Sequence, residues 1–269
     1  MQRVWGSVNV CLYSLVSGTG HGPAVWCHGL IPDYHAFRGS YGGYAFPLYD
    51  RRPGYGPSNL KPELIAALED AYGTEVAPEA VFDVILCLLS ATSYTTRFAE
   101  DLEDVFPHIP FPADRSVFDQ AATVGAEIRA VETFARPPDA AFLKGRALAQ
   151  TAPMGPLGVV AYDGGKITLC ADGSGEITCI PQDVWDFSVS GYYVLRRWLT
   201  GREGMAIGDA FIPELRDLVG RIAELVDLFV TADSLLVRTL DDPLSREALG
   251  LGSATPKGAA PMESTTVDE

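Results

Sequence analysis

The sequence lacks the marks of several large protein classes. No apolar run approaches the roughly 20 residues that a membrane-spanning helix requires. Arg3 is not followed by the apolar core of a secretory leader. The five cysteines, at 11, 27, 87, 170 and 179, show no CxxC spacing, and an odd count suits reduced thiols better than a disulfide framework. These absences point to a soluble cytoplasmic protein with no membrane partner. The motifs of self-contained enzymes are missing too: there is no GxSxG, P-loop or HExxH, and no pair of carboxylates at helical spacing in an apolar setting. SGTGHG (17–22) has the glycines of a nucleotide loop, but Pro23 leads into another strand instead of a helix, so it reads as a hairpin turn. Cys27, His28 and His35, with Asp33 as a fourth donor, do not have the regular spacing of a zinc site. The sequence therefore predicts no catalytic residue, no metal and no cofactor.

Basic residues are also scarce, 20 against 35 acidic, for a formal charge of −15. The deficit is uneven. Residues 1–60 hold four arginines against Asp33 and Asp50, whereas residues 61–139 hold 15 acids against 5 bases. Residues 140–240 hold 12 against 9, and the remainder 6 against 2. Uniform acidity would oppose a nucleic-acid partner, because neutralising phosphates drives that binding. Segregated acidity leaves room for one.

What is present is a change of period along the chain. SVNVCLYSLV (7–16), PAVWCHGL (23–30) and GYAFPLYD (43–50) are β-branched and aromatic runs, read as strands, and RRPGYGPSN (51–59) is a loop by composition. Pro62 and Pro78 are placed like first-turn prolines of two helices, carrying Leu64, Ile65 and Leu68 and then Val81, Phe82, Ile85, Leu86 and Leu89. A third helix is predicted over 95–106, ended by Pro107, and a fourth over 116–135, stopped by Pro137-Pro138. After a weakly patterned connector, residues 158–181 alternate around Asp163-Gly164-Gly165 and Asp172-Gly173 as a small antiparallel meander. Cys170 and Cys179 fall on neighbouring strands of it, which allows them to approach each other, and ordinary packing explains them as well. A helix over 213–237 closes the ordered part. The expected class is α+β, with small antiparallel sheets combined with a helical segment. Its parts are a β-rich stretch (1–60), an acidic helical segment (61–139), a meander with C-terminal helices (140–251) and a disordered acidic tail (252–269).

Two places combine arginine with aromatics. In HAFRGSYGGYAFPLYDRR (35–52), Arg38 sits in a Gly/Ser/Tyr loop with Ser40 and Tyr41, Tyr44 follows, and Arg51-Arg52 closes the strand. Such glycines allow close backbone approach to a phosphate, and the tyrosines can stack or hydrogen-bond at a groove. In PQDVWDFSVSGYYVLRRWLTGRE (181–203), Trp185 and Phe187 read as one face of an extended piece. The pattern breaks at Ser190-Gly191, and from Tyr192 the residues Val194, Leu195, Trp198 and Leu199 recur at helical spacing. Arg196 and Arg197 are adjacent on that helix and point about 100° apart, so at least one faces outward. At both places composition alone favours an ordinary solvated surface.

The succession of LIPDYHAFRGSYGGYAFPLYD (30–50), LLSATSYTTRFAEDLEDVFPHIPF (88–111) and VWDFSVSGYYVLRRWLTGRE (184–203) resembles the C-terminal specificity region of type ISP restriction–modification enzymes and related N6-adenine methyltransferases. The resemblance covers residues 9 to about 240. It implies a module that reads a DNA sequence, with double-stranded DNA and an adenine-specific methyltransferase or restriction subunit as partners. By that resemblance the DNA-facing residues are Arg38, Ser40, Tyr41, Tyr44, Arg51, Arg52, Tyr192, Tyr193, Arg196 and Arg197, while Trp185, Phe187, Gly191 and Trp198 are structural anchors. Tyr94, Arg97, Phe98 and Pro107 to Pro110 would belong to a structural helical segment. The family's glycine-rich cofactor loop and Asn/Asp-Pro-Pro-Tyr/Phe motif are absent, the one Pro-Pro being followed by Asp139, so a stand-alone module without its own catalytic domain is expected. The other reading is a protein that engages a methyltransferase without binding DNA, as a degenerate remnant or an acidic decoy.

Overall fold

A computed structural model describes residues 9–33, 42–50, 52 and 58–251. β1 (Cys11–Leu15) is the centre of a three-stranded antiparallel sheet, ordered β2-β1-β3, with β2 (Val25–His28) and β3 (Gly43–Pro47) on its flanks. Leu12 lies opposite both Cys27 and Phe46, so one face of all three strands presents apolar side chains.

α1 (Pro62–Tyr72) and α2 (Pro78–Ser90) both begin with proline, where the missing N–H costs nothing. Every residue of α2 from Val81 to Ser90 is buried, which explains why its apolar run has no polar stripe. It packs on the sheet through β2 and on α4 (Arg115–Glu132) and α8 (Phe211–Asp241). The α2–α4 crossing is close because Gly125 offers no side chain; a Cβ there would lie 1.8 Å from the carbonyl oxygen of Asp83. Two further ties fix α4. Arg129 grips Asp83 with two hydrogen bonds of 2.7 and 2.9 Å, and the buried Glu132 accepts the Cys27 N–H at 2.7 Å.

After the short α5 (Ala140–Leu143), a four-stranded antiparallel sheet runs β4-β7-β6-β5. Its strands are β4 (Leu148–Ala149), β5 (Leu157–Asp163), β6 (Lys166–Cys170) and β7 (Glu176–Thr178). Gly164 and Gly165 both take positive φ, as a tight β5–β6 hairpin requires. The chain then forms α6 (Gln182–Trp185), a small hairpin of β8 (Ser188–Val189) and β9 (Tyr192–Tyr193), and α7 (Val194–Thr200), before α8 spans the molecule. Among the described residues, no helix is long and apolar enough to cross a membrane.

Several local expectations are corrected. The single helix over 95–106 is instead α3 (Thr92–Arg97) followed by a 3-10 turn at Asp101–Glu103. Glu100, Asp101, Glu103 and Asp104 would crowd the negative end of a continuous helix. Residues 181–187 are not extended: α6 inserts one helical turn, closed by the Gln182 amide donating to Asp186 at 2.5 Å. Helix α7 starts two residues after Tyr192, because Tyr192 and Tyr193 pair with Val189 and Ser188. Cys170 and Cys179 do not approach each other. The register Ile167↔Ile177 places them at opposite ends of the β6–β7 pair, about five residues or roughly 16 Å apart. Both are free thiols.

Candidate functional site

The junction at 185–203 is built on the β1–β2 loop. Ser190 and Gly191 take φ 47° and 77°, both positive, the geometry of a two-residue turn that matches strand twist. That turn is docked, not free. The Ser190 N–H donates to Pro23 O at 3.1 Å, the Gly191 N–H to His21 O at 2.8 Å, and the Ser188 hydroxyl to His21 O at 3.2 Å. The same loop receives Thr95, whose hydroxyl donates to Gly22 O at 2.8 Å. SGTGHG is thus the connection of a hairpin and also the platform for a second one.

The two arginines have different fates. Arg196 is held on every side: its guanidinium pairs with Asp186, Nε donates to Trp185 O at 3.2 Å, and it lies 5.2 Å from the Trp185 ring and 4.4 Å from the Tyr193 ring. Trp185 in turn stacks on Tyr162, centroids 4.7 Å apart and 8° from parallel. Arg197 is exposed, contacts the Tyr192 ring at 5.8 Å and makes no ion pair among the described residues. Phe187 is buried against Trp26 and Phe229. Trp198 is half-buried, packed on Phe211 at 5.2 Å with Arg202 stacked 3.9 Å above it. The junction therefore offers one free cation, Arg197, on a frame fixed by the other arginine.

In the first cluster, Arg38, Ser40, Tyr41 and Arg51 lie outside the described residues, as does His35. Tyr44 is 54% exposed, and with Phe46 it surrounds the Phe106 ring, each centroid 5.9 Å away. The Phe46 and Phe106 rings border a cavity of about 470 Å³ walled by Leu12, Leu60, Ile85 and Leu89, with Lys61 as the only charged group lining it among the described residues. Arg52 donates Nε to Asp50 at 2.9 Å, and this pairing holds the Asp50 carboxyl below its usual range. Cys27 and His28 are successive strand residues, so they point to opposite faces. Burial lowers the His28 pKa to about 4. No cluster of three or more metal-ligating side chains occurs among the described residues.

One group of charges escaped sequence reasoning. Lys144 and Arg146 line a cleft of about 400 Å³ after α5, and Arg216 of α8 reaches the same turn, donating to Leu143 O at 3.1 Å. FLKGRAL carries no periodicity, and only the fold brings a residue 73 positions away to join it.

Comparison with known proteins agrees with this architecture. The profile of the Type ISP C-terminal specificity domain matches residues 1–213. The fold is similar to that of the ATP-dependent Type ISP restriction-modification enzyme LlaBIII bound to DNA, with a TM-score of 0.60 at 15% identity over 87% of this chain and 16% of that one. It is similar to DrdV in its DNA complex, at 0.63 and 17% over 84% of this chain and 24% of that one. It is also similar to a nuclease-deletion mutant of the Type ISP restriction-modification enzyme LlaGI in complex with a DNA substrate mimic, at 0.55 and 14% over 89% and 18%. The chain spans between about a sixth and a quarter of the length of those enzymes. No curated protein matches it.

Proposed function

Since the chain belongs to the Type ISP C-terminal specificity domain family, we propose that it recognises a short double-stranded DNA sequence for an adenine-methylating restriction–modification system. The observation that carries the reading is the junction. Within the family match, a docked hairpin and a pinned Arg196 leave Arg197 outward beside Tyr192, an exposed cation with an adjacent aromatic on a fixed frame. Arginine is suited to this because its planar fork binds phosphate or the guanine edge with two hydrogen bonds. Tyr44, exposed on β3, and the Arg38–Tyr41 and Arg51–Arg52 stretches are proposed to supply the other contacts. Trp185, Phe187, Gly191 and Trp198 are proposed as the frame of the junction itself, Phe187 being the most deeply buried of them.

Recognition and chemistry are separate in this reading. The 269 residues contain no methyl-donor loop and no Asn/Asp-Pro-Pro-aromatic motif. Methyl transfer is accordingly assigned to a methyltransferase partner, and the chain itself takes no cofactor. The test is duplex binding followed by fluorescence anisotropy from 50 to 200 mM salt. Contact with three to five phosphates gives a log–log slope of about −3 to −4.5. Absence of salt-dependent binding would favour the alternative of a methyltransferase-binding protein that does not touch DNA, for which the acidic 61–139 segment is the supporting feature.

A further inference from the structure

The turn after α5 concentrates positive charge that no ion pair among the described residues neutralises. Residues 140–147, AAFLKGRA, contain two bases and no acid. Lys144 (φ −64°, ψ 122°) and Gly145 (φ 70°) form a type II turn, closed by the Arg146 N–H donating to Leu143 O at 3.3 Å. Both bases line the cleft whose other walls include Gly165, Cys179, Ile180 and Pro181, and among the described residues no carboxylate lines it. Arg216 brings a third cation to the same carbonyl. Among the described residues none of the three makes an ion pair, whereas seven other Lys and Arg residues do. In a chain of charge −15 this segregation calls for an anionic partner.

The arrangement is also rigid. α5 is clamped on α8 at Gly220, where a Cβ would meet the Leu143 side chain at 2.5 Å. On the far side, the Ala147 N–H donates to Cys179 O at 3.2 Å, and both residues hold positive φ, 48° and 61°. Non-glycine residues keep that conformation only where the surroundings impose it. The cleft offers cations and no Asn or Gln with the paired donor and acceptor that read a base edge. Pro181, in its wall, starts the single turn of α6, about 6 Å long, which ends at the Trp185 that stacks on Arg196. Asp183, between them, lines a different cleft with Thr92 and Asp233.

We propose that Lys144, Arg146 and Arg216 form a second phosphate-holding surface, gripping the DNA backbone one short helix away from the junction. The inference rests on the DNA-recognition reading above and adds a contact set to it. The test titrates salt for the wild-type chain, the K144Q/R146Q variant and the R197Q variant on two duplexes of unrelated sequence, with thermal melting as a folding control. Each lost phosphate contact reduces the slope by about 0.9, so K144Q/R146Q should flatten it by about 1.8, equally on both duplexes. If the double variant fails the folding control, K144Q alone, on an exposed side chain, should flatten it by about 0.9. A wild-type slope in these variants while R197Q weakens binding overturns the patch and leaves the recognition reading standing. Loss on one duplex only means that the cations read bases, which overturns the phosphate assignment. If the wild type binds neither duplex, both proposals fall.

Discussion

Gly22 and Ser188 meet with no room for a side chain between them: a Cβ on Gly22 would lie 1.9 Å from the Ser188 carbonyl oxygen. Gly22 also holds φ +90°, a conformation that L side chains rarely adopt. This contact, 166 residues apart in sequence, is where the first hairpin carries the second. Gly22→Ala should therefore lose at least about 2 kcal/mol in a denaturant titration, from backbone strain plus a clash with main chain that cannot move freely. A loss within about 0.5 kcal/mol, the range of an ordinary surface change, would mean that the loop is not the platform of the junction.

The neighbouring arginines should separate in their effects. Arg196→Ala removes an ion pair, a hydrogen bond and two ring contacts, all partly exposed, and should cost about 1 kcal/mol. Arg197→Ala should leave stability within about 0.5 kcal/mol and act only on DNA binding. Equal unfolding midpoints for the two variants would contradict the division of labour.

The aromatic anchors give a graded series. Sequence reasoning treats Trp198 as a buried anchor, for which truncation costs roughly 3–5 kcal/mol. Trp198 is only half-buried, shielded by Phe211 and the stacked side chain of Arg202, so Trp198→Ala should cost about 2 kcal/mol. Phe187→Ala, at a buried position, should cost more, about 3–4 kcal/mol. The reverse order in urea unfolding would place the core on the wrong side of α7.

Two groups tied to β2 should give the stability curve opposite slopes. Burial lowers the His28 pKa from 6.5 to about 4, so the folded state binds fewer protons than the unfolded state in that window. Its contribution is complete above pH 6.5 and is lost as pH falls towards 4. Burial raises the Glu132 carboxyl well above its ordinary value, so the folded state keeps a proton that the unfolded state has released. That contribution declines as pH rises from about 4.3. His28→Phe, which keeps the edge contact with Tyr13, should flatten the acid limb of the curve. Glu132→Gln retains an oxygen for the Cys27 N–H and should raise stability at pH 8. Unfolding free energies measured from pH 4.5 to 8 decide both, and parallel curves for all three proteins would refute them.

What the residues made legible follows from the length of each pattern. Pro62 and Pro78 marked two helix starts because the constraint acts at one position. The alternation over 158–181 disclosed the meander because several strands repeat it. α6 was hidden because four residues are too few to show a period of 3.6, so Trp185 and Phe187 looked like strand neighbours. The partner of each arginine was hidden for another reason. Asp186 and Trp185 hold Arg196 only once the β8–β9 hairpin turns the chain back, and Arg216 joins Lys144 and Arg146 only through the packing of α5 on α8. Charge counts along the sequence locate cations but cannot say which are already paired.

The central claim is sequence recognition, and selection from a pool of duplexes with a randomised central segment tests it most directly. Several rounds with the wild-type chain near 0.1 M salt, followed by sequencing, should enrich one short motif. The Arg197→Ala variant should lose enrichment or relax it at particular positions. Retention of duplexes without any enriched motif, equal for wild type and variant, would contradict the account.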